Sequence, residues 1–216
     1  MKHIIRAVAL VLMVAMLSVT AFAAFTPSVE QKAEPEVVAP KTEHKVDGKP
    51  AVVVKDEKGE VISADLVETV KVTPVSNFKG EEAEEKELTE EEVAVKESLE
   101  KTYTEIAEAK NLAEVAPKLP EVLKELKVET KVEELVVQDL FNITLPEELT
   151  KALEVEGNTI DLTFEMEVEE GKQLIVMVQS ADGEWVIISG DAIVVDEDGT
   201  VTVSFPVVGN VAFIVA

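Results

Sequence analysis

The sequence predicts an α+β fold, with an N-terminal β-meander and a helical segment followed by a C-terminal antiparallel β-sandwich of immunoglobulin-like type. Three observations predict it. Short β-branched runs between residues 51 and 75 are separated by turn residues. A stretch from 89 to 127 carries helix caps and an apolar period of three and four residues. Beyond Gly157, turn pairs recur at the spacing of about 8–12 residues expected of an all-β domain.

The chain begins with a different kind of segment. Lys2 and Arg6 form a short basic region, residues 7–17 are uncharged and apolar, and Ala21 and Ala23 place small side chains three residues and one residue before a cut at Ala24. These are the parts of a cleavable secretion signal over residues 1–23. The competing expectation is an uncut membrane anchor, since a span needs about 20 apolar residues. Ser18 and Thr20 dilute the end of the run, and the small side chains sit where cleavage belongs. Residues 24–49 then form an extended leader arm, punctuated by Pro27, Pro35 and Pro40 and touched by an apolar pair at Val37 and Val38.

Residues 50–157 form the predicted α+β lobe. Ala51 to Val54 and Val61–Ile62 read as strands around a turn at Asp56 to Gly59. The run from Val70 through Val72 to Pro74 and Val75 reads as an alternating strand, and Pro74 marks a strand end or a sheet edge. Residues 76–87 are an acidic linker. Thr89 and Glu92 make a capping box, in which each side chain satisfies a free backbone N–H of the helix start. Val95, Leu99, Tyr103 and Ile106 form one apolar stripe, expected to cover a sheet. Asn111 and Glu114 repeat the capping pattern, so the helix breaks near Lys110 and restarts. Pro117 stops it, and Pro120 opens a third piece that turns Val122, Leu123 and Leu126 inward. Residues 134–143 read as a strand burying Val136 and Leu140, and Pro146 enters a short helix ending near Leu153.

Residues 158–216 form the predicted sandwich domain, with strands near 160–167, 174–178, 184–188, 192–195, 200–205 and 211–215. So few residues make a small sandwich, and strands of the preceding lobe are available to share its core. The segments FTPSVEQK at 25–32, VTPVS at 72–76, LVVQDLF at 135–141, DGTVTVSF at 198–205 and VAFIV at 211–215 resemble a family of uncharacterised secreted and cell-envelope proteins of gut clostridia and related Firmicutes. The resemblance spans nearly the whole chain after the signal. It implies a helical segment with a C-terminal β-domain and brings no catalytic residue with it.

Composition narrows the chemistry. The chain of 216 residues carries a formal charge of −24, and loss of Lys2 and Arg6 with the signal leaves 18 basic against 44 acidic residues, a charge of −26. Such a chain repels nucleic-acid phosphates and anionic membrane surfaces, so no nucleic-acid partner and no stable membrane insertion after cleavage are expected. There is no cysteine, hence no disulfide, thiolate nucleophile or thiolate metal site. His44 is the one histidine left after cleavage, in a polar setting unsuited to orienting a general base. No catalytic signature and no cofactor motif emerge.

Two ligand-binding candidates remain. Asp196 and Asp198 could face a calcium ion, but a full calcium loop needs more oxygen ligands, and Asp198-Gly199 is hairpin chemistry. Trp185, the single tryptophan, could stack on a sugar ring, or serve the core of the sandwich. Asn142-Ile-Thr144 matches a glycosylation sequon, taken as chance. The functional expectation is a non-enzymatic secreted or non-covalently envelope-associated interaction protein. The alternative is a carbohydrate- or calcium-binding β-module, and a hydrolase using carboxylates alone is more remote. N-terminal sequencing of the exported chain should begin at Ala24. A chain beginning at Met1 in the membrane fraction would contradict the signal reading.

Overall fold

The computed structural model describes residues 37–38, 44–78, 88–166, 168, 172–180, 182–196 and 199–216. The signal segment with Ala21, Ala23 and Ala24, most of the leader arm, most of the acidic linker and Asp198 lie outside these residues.

The chain combines helices with two antiparallel sheets. Its strands are β1 (Val37–Val38), β2 (Lys45–Val46), β3 (Lys49–Lys55), β4 (Val61–Leu66), β5 (Lys71–Pro74), β6 (Val136–Thr144), β7 (Thr159–Glu165), β8 (Leu174–Gln179), β9 (Trp185–Ile188), β10 (Ile193–Val195), β11 (Thr200–Phe205) and β12 (Asn210–Val215). The α-helices are α1 (Glu90–Glu108), α2 (Leu112–Val115), α3 (Leu119–Glu125) and α4 (Glu147–Leu153).

Local chemistry explains the element ends. Thr89 and Glu92 form the expected capping box, with the Glu92 N–H donating to Thr89 Oγ1 at 3.2 Å and the Thr89 N–H to Glu92 Oε2 at 2.9 Å. Asn111 caps α2 through Ala113 N–H at 3.0 Å. Pro120 sits in the first turn of α3, where its missing N–H costs nothing. Asp47 and Gly48, at φ 51° and 81°, make the positive-φ pair of a tight hairpin turn between β2 and β3. Pro74 ends β5, which is an edge strand.

Among the described residues the first sheet runs β10-β11-β7-β3-β2, with β4 also on β3 and β1 on β7. The second runs β5-β6-β12-β8-β9. Each sheet therefore draws strands from both sides of residue 158: β3 pairs with β7, and β6 with β12. One apolar cluster fills the space between the sheets. It contains Val52 and Val54, Ile160, Leu162 and Phe164, and Val203 and Phe205 from the first sheet, with Phe141, Ile143, Val176, Val178, Val211 and Phe213 from the second. Leu149 and Leu153 of α4 join it. Phe213 meets Phe141 and Phe164 edge-on at centroid distances of 4.9 and 5.3 Å, the arrangement the ring quadrupoles favour.

The second sheet is also covered on its other face. Leu140, Ala212, Ile214, Ile175 and Met177 pack there with Leu99 and Ile106 of α1 and with Leu112, Leu119 and Leu123 of the shorter helices. The molecule thus stacks helices, second sheet and first sheet. This explains the continuously apolar β8 and β12, since a strand buried on both faces does not alternate. One expectation needs correction. Val136 is only half-buried, and Val137 is the fully covered residue. The register of β6 against β12 steps from Asp139 to Val137 while β12 advances by one, so Gln138 is the extra residue of a β-bulge that resets the alternation.

Phe164 contacts three other rings from near the C-terminal end of β7. Phe164→Ala should cost about 3–5 kcal/mol of unfolding free energy, read from urea denaturation. A loss below about 1 kcal/mol would contradict the shared core between the sheets.

Candidate functional site

Directly paired residues of an antiparallel sheet lie on the same face, so the register of the second sheet identifies rows of neighbours. Leu140, Ala212, Met177 and Ile187 make one apolar row beneath the helices. Two residues along each strand lies a row of different chemistry: Thr73, Asn142, Asn210, Gln179 and Trp185. The helix-facing side of the sheet changes there from hydrocarbon to amide.

Helix α1 supplies the complement. Ser98, Thr102 and Glu105 follow at spacings of four and three, hence on one helix face. Asn210 donates both amide protons to this face, to Ser98 Oγ at 2.8 Å and Thr102 Oγ1 at 2.7 Å. Its carbonyl accepts from Asn142 Nδ2 at 2.9 Å, and the Asn142 carbonyl accepts from Thr144 Oγ1 at 3.0 Å. The Thr102 hydroxyl lies 2.5 Å from Gln179 Oε1 and 3.0 Å from the Ser98 carbonyl, two acceptors for its one proton. Gln179 Nε2 donates to Glu105 Oε2 at 2.9 Å. A directional chain runs from Thr144 through Asn142, Asn210, Thr102 and Gln179 to the Glu105 carboxylate, each bond polarising the next. Thr102 is fully buried, and Asn210 and Asn142 are 3% and 9% exposed. Burial at that level is tolerable because the partners are present.

Backbone geometry brings the sheet rim close. Gly209 precedes β12 at φ 156°, and a Cβ there would lie 2.4 Å from the Gln179 carbonyl oxygen. Only glycine allows β8 and the start of β12 this approach. Beside it, the turn between β8 and β9 is closed by Ser180 N–H to the Glu184 carbonyl and Gly183 N–H to the Ser180 carbonyl, both at 2.9 Å. A hydrogen bond from the Ser180 hydroxyl holds the exposed Asp182 carboxyl below the usual carboxylate range, against desolvation and with help from the backbone N–H groups of Asp182 and Glu184. The group is therefore ionised at neutral pH.

These parts enclose a cleft of about 330 Å³ between α1, the β8–β9 turn and the entry to β12. Ser98, Lys101, Asn142, Gln179, Asp182 and Asn210 are among its lining residues, and Val208 contributes an apolar patch.

The candidates read from the sequence fall elsewhere. Trp185 closes the polar row on β9, but its half-buried side chain packs against the helix-side core and is not part of the cleft lining. Asp196 belongs to the β10–β11 turn of the other sheet. Its carboxylate accepts from Thr200 Oγ1 at 3.3 Å, while backbone bonds to Thr200 and Gly199 close a hairpin. Its suggested companion Asp198 lies outside the described residues. Among the described residues no three His, Asp or Glu side chains are grouped to hold a metal. The sequon has a structural meaning, because Asn142 and Thr144 bond to each other inside the network.

Sequence reasoning missed Ser98, Thr102, Asn142, Gln179 and Asn210. The available signal was an amide at a strand position whose same-face neighbours are apolar, as with Asn210 before Ala212 and Asn142 after Leu140. Comparison with protein-family models, with curated proteins and with solved structures returns no match. No helix among the described residues is long and apolar enough to cross a membrane.

Replacing Asn210 by leucine keeps the side-chain size but strips the partner from Asn142. It also leaves Ser98 and Thr102 without their donor. Asn210→Leu should cost about 1–3 kcal/mol for each buried group so orphaned, measured by urea denaturation. An unchanged midpoint would mean that the network contributes nothing to the fold.

Proposed function

We propose that this chain is exported and acts outside the cytoplasm as a non-catalytic binding module, with its ligand in the cleft between α1 and the rim of the second sheet. The observation that carries the reading is the fixed orientation of the cleft's polar side chains. Asn142, Gln179 and Asn210 are each held by hydrogen bonds to neighbours that are themselves held. A site built this way loses little side-chain entropy on binding.

The electrostatics favour binding over turnover. General acid–base catalysis works best with a group whose pKa lies near the operating pH. Asp182 is held in the opposite direction, as a stable carboxylate suited to accepting hydrogen bonds. The charge of −26 after signal cleavage disfavours phosphates and other polyanions, leaving neutral or cationic partners in the envelope or the medium. The resemblance to secreted and cell-envelope proteins of clostridia points the same way. So do the facing antiparallel sheets, which we read as a β-sandwich of the immunoglobulin-like kind used by many surface modules.

The test is co-sedimentation of the exported chain with insoluble cell-wall material stripped of its own protein. The chain should pellet with the wall fraction and stay in solution without it. A chain that remains in the supernatant in both cases would contradict an envelope-binding role.

A further inference from the structure

The unspent hydrogen-bonding capacity of the cleft identifies a ligand class. Asn142 is nine-tenths buried and lines the cleft. One of its amide protons goes to Asn210, and the other meets no acceptor among the described residues. Ser98 Oγ accepts from Asn210, which leaves its own proton to donate. At the mouth, the ionised Asp182 carboxylate has about four lone-pair sites. The Ser180 hydroxyl and neighbouring N–H groups do not fill them all. Two donors thus stand at the floor and wall of the cleft, with an acceptor at its rim.

Charge excludes the simple ions. Lys101 is drawn to Glu105 at 3.9 Å, and Glu105 also receives the Gln179 amide, so that wall is neutralised. An anion would face Asp182 and the charge of the whole chain, and a cation would find among the lining residues one carboxylate, Asp182, already bonded to the Ser180 hydroxyl. A neutral group that is both donor and acceptor fits, and Val208 offers hydrocarbon for a C–H face. The volume of about 330 Å³ lies at the small end of the ligand-pocket range of about 300–1,000 Å³, room for about one or two pyranose rings.

We infer that the cleft binds neutral saccharide, with adjacent ring hydroxyls bridging Asn142, Ser98 and Asp182. The inference rests on the reading of the cleft as a binding site, and Trp185 plays no stacking part in it.

The experiment is saturation-transfer NMR on the exported chain with neutral tetrasaccharides of glucose, mannose and N-acetylglucosamine. A galacturonic acid tetrasaccharide and free lysine serve as charged comparisons. The variants are Ser98→Ala and Asp182→Ala, both at exposed positions, with thermal melts to show that each stays folded. At least one neutral tetrasaccharide should bind, the charged probes should not, and each variant should weaken binding about tenfold or more. Binding unaffected by both substitutions, or preference for a charged probe, would overturn the assignment. Failure of every neutral saccharide would also overturn it. If the chain still pelleted with wall material in a manner sensitive to Asp182→Ala, the cleft would remain the site and only the ligand class would fall. Loss of both would remove the binding reading as well.

Discussion

Strand β12 carries the constraint on which the rest of this structure depends. It lies between β6 and β8 in the middle of the second sheet, and that sheet is covered on both faces. Successive side chains of a strand point to opposite faces. Val211 and Phe213 therefore enter the core between the sheets, while Ala212 and Ile214 enter the core beneath the helices. Each core has lost a wall if β12 is displaced. The edge-on contacts of Phe213 with Phe141 and Phe164 tie the inter-sheet core to this strand. Ala212 is fully buried in the core beneath the helices.

Asn210, at the start of β12, converts this packing into a defined register. A slip by one residue would move the amide from the polar row to the face that holds the phenylalanine cluster. Burying an amide there without partners would cost several times the net value of one hydrogen bond. On the helix-facing side the same amide finds Ser98, Thr102 and Asn142. Gly209 sets the approach, because any side chain there would collide with the Gln179 carbonyl. The polar row that builds the cleft is thus the same feature that aligns α1 on the second sheet. The cleft and the strand register share their residues, so the polar side chains that line the cleft are held in place for structural reasons.

Local chemistry was legible in the sequence, and distant pairing was not. The capping box at Thr89, the restart at Asn111, the turn at Asp56 to Gly59 and the edge role of Pro74 all depend on a few neighbouring residues, and each is found in place. The partnership of β3 with β7 joins segments about a hundred residues apart, and nothing in either strand names the other. The bulge at Gln138 broke the alternation used to assign the buried face of β6, which moved the covered residue from Val136 to Val137. The site was hidden for a related reason. Asn142, Gln179 and Asn210 come from three strands and acquire meaning only as a cross-strand row. Asn142 resembled a sequon, and Ser98 and Thr102 sat beside an apolar stripe that described the helix well without them. Trp185 drew attention as a rare residue, yet its half-buried ring serves the helix-side core.

The most direct test of the central role of β12 is native-state hydrogen exchange resolved at single amides. With β12 walling both cores, Phe213 of β12, Phe164 of β7 and Ile106 of α1 should exchange only through one global opening, at a common free energy equal to that of unfolding. If Ile106 or Phe164 exchanged through a separate opening of much lower free energy while Phe213 stayed protected, the layers would be independent, and β12 would not be the strand that holds them together.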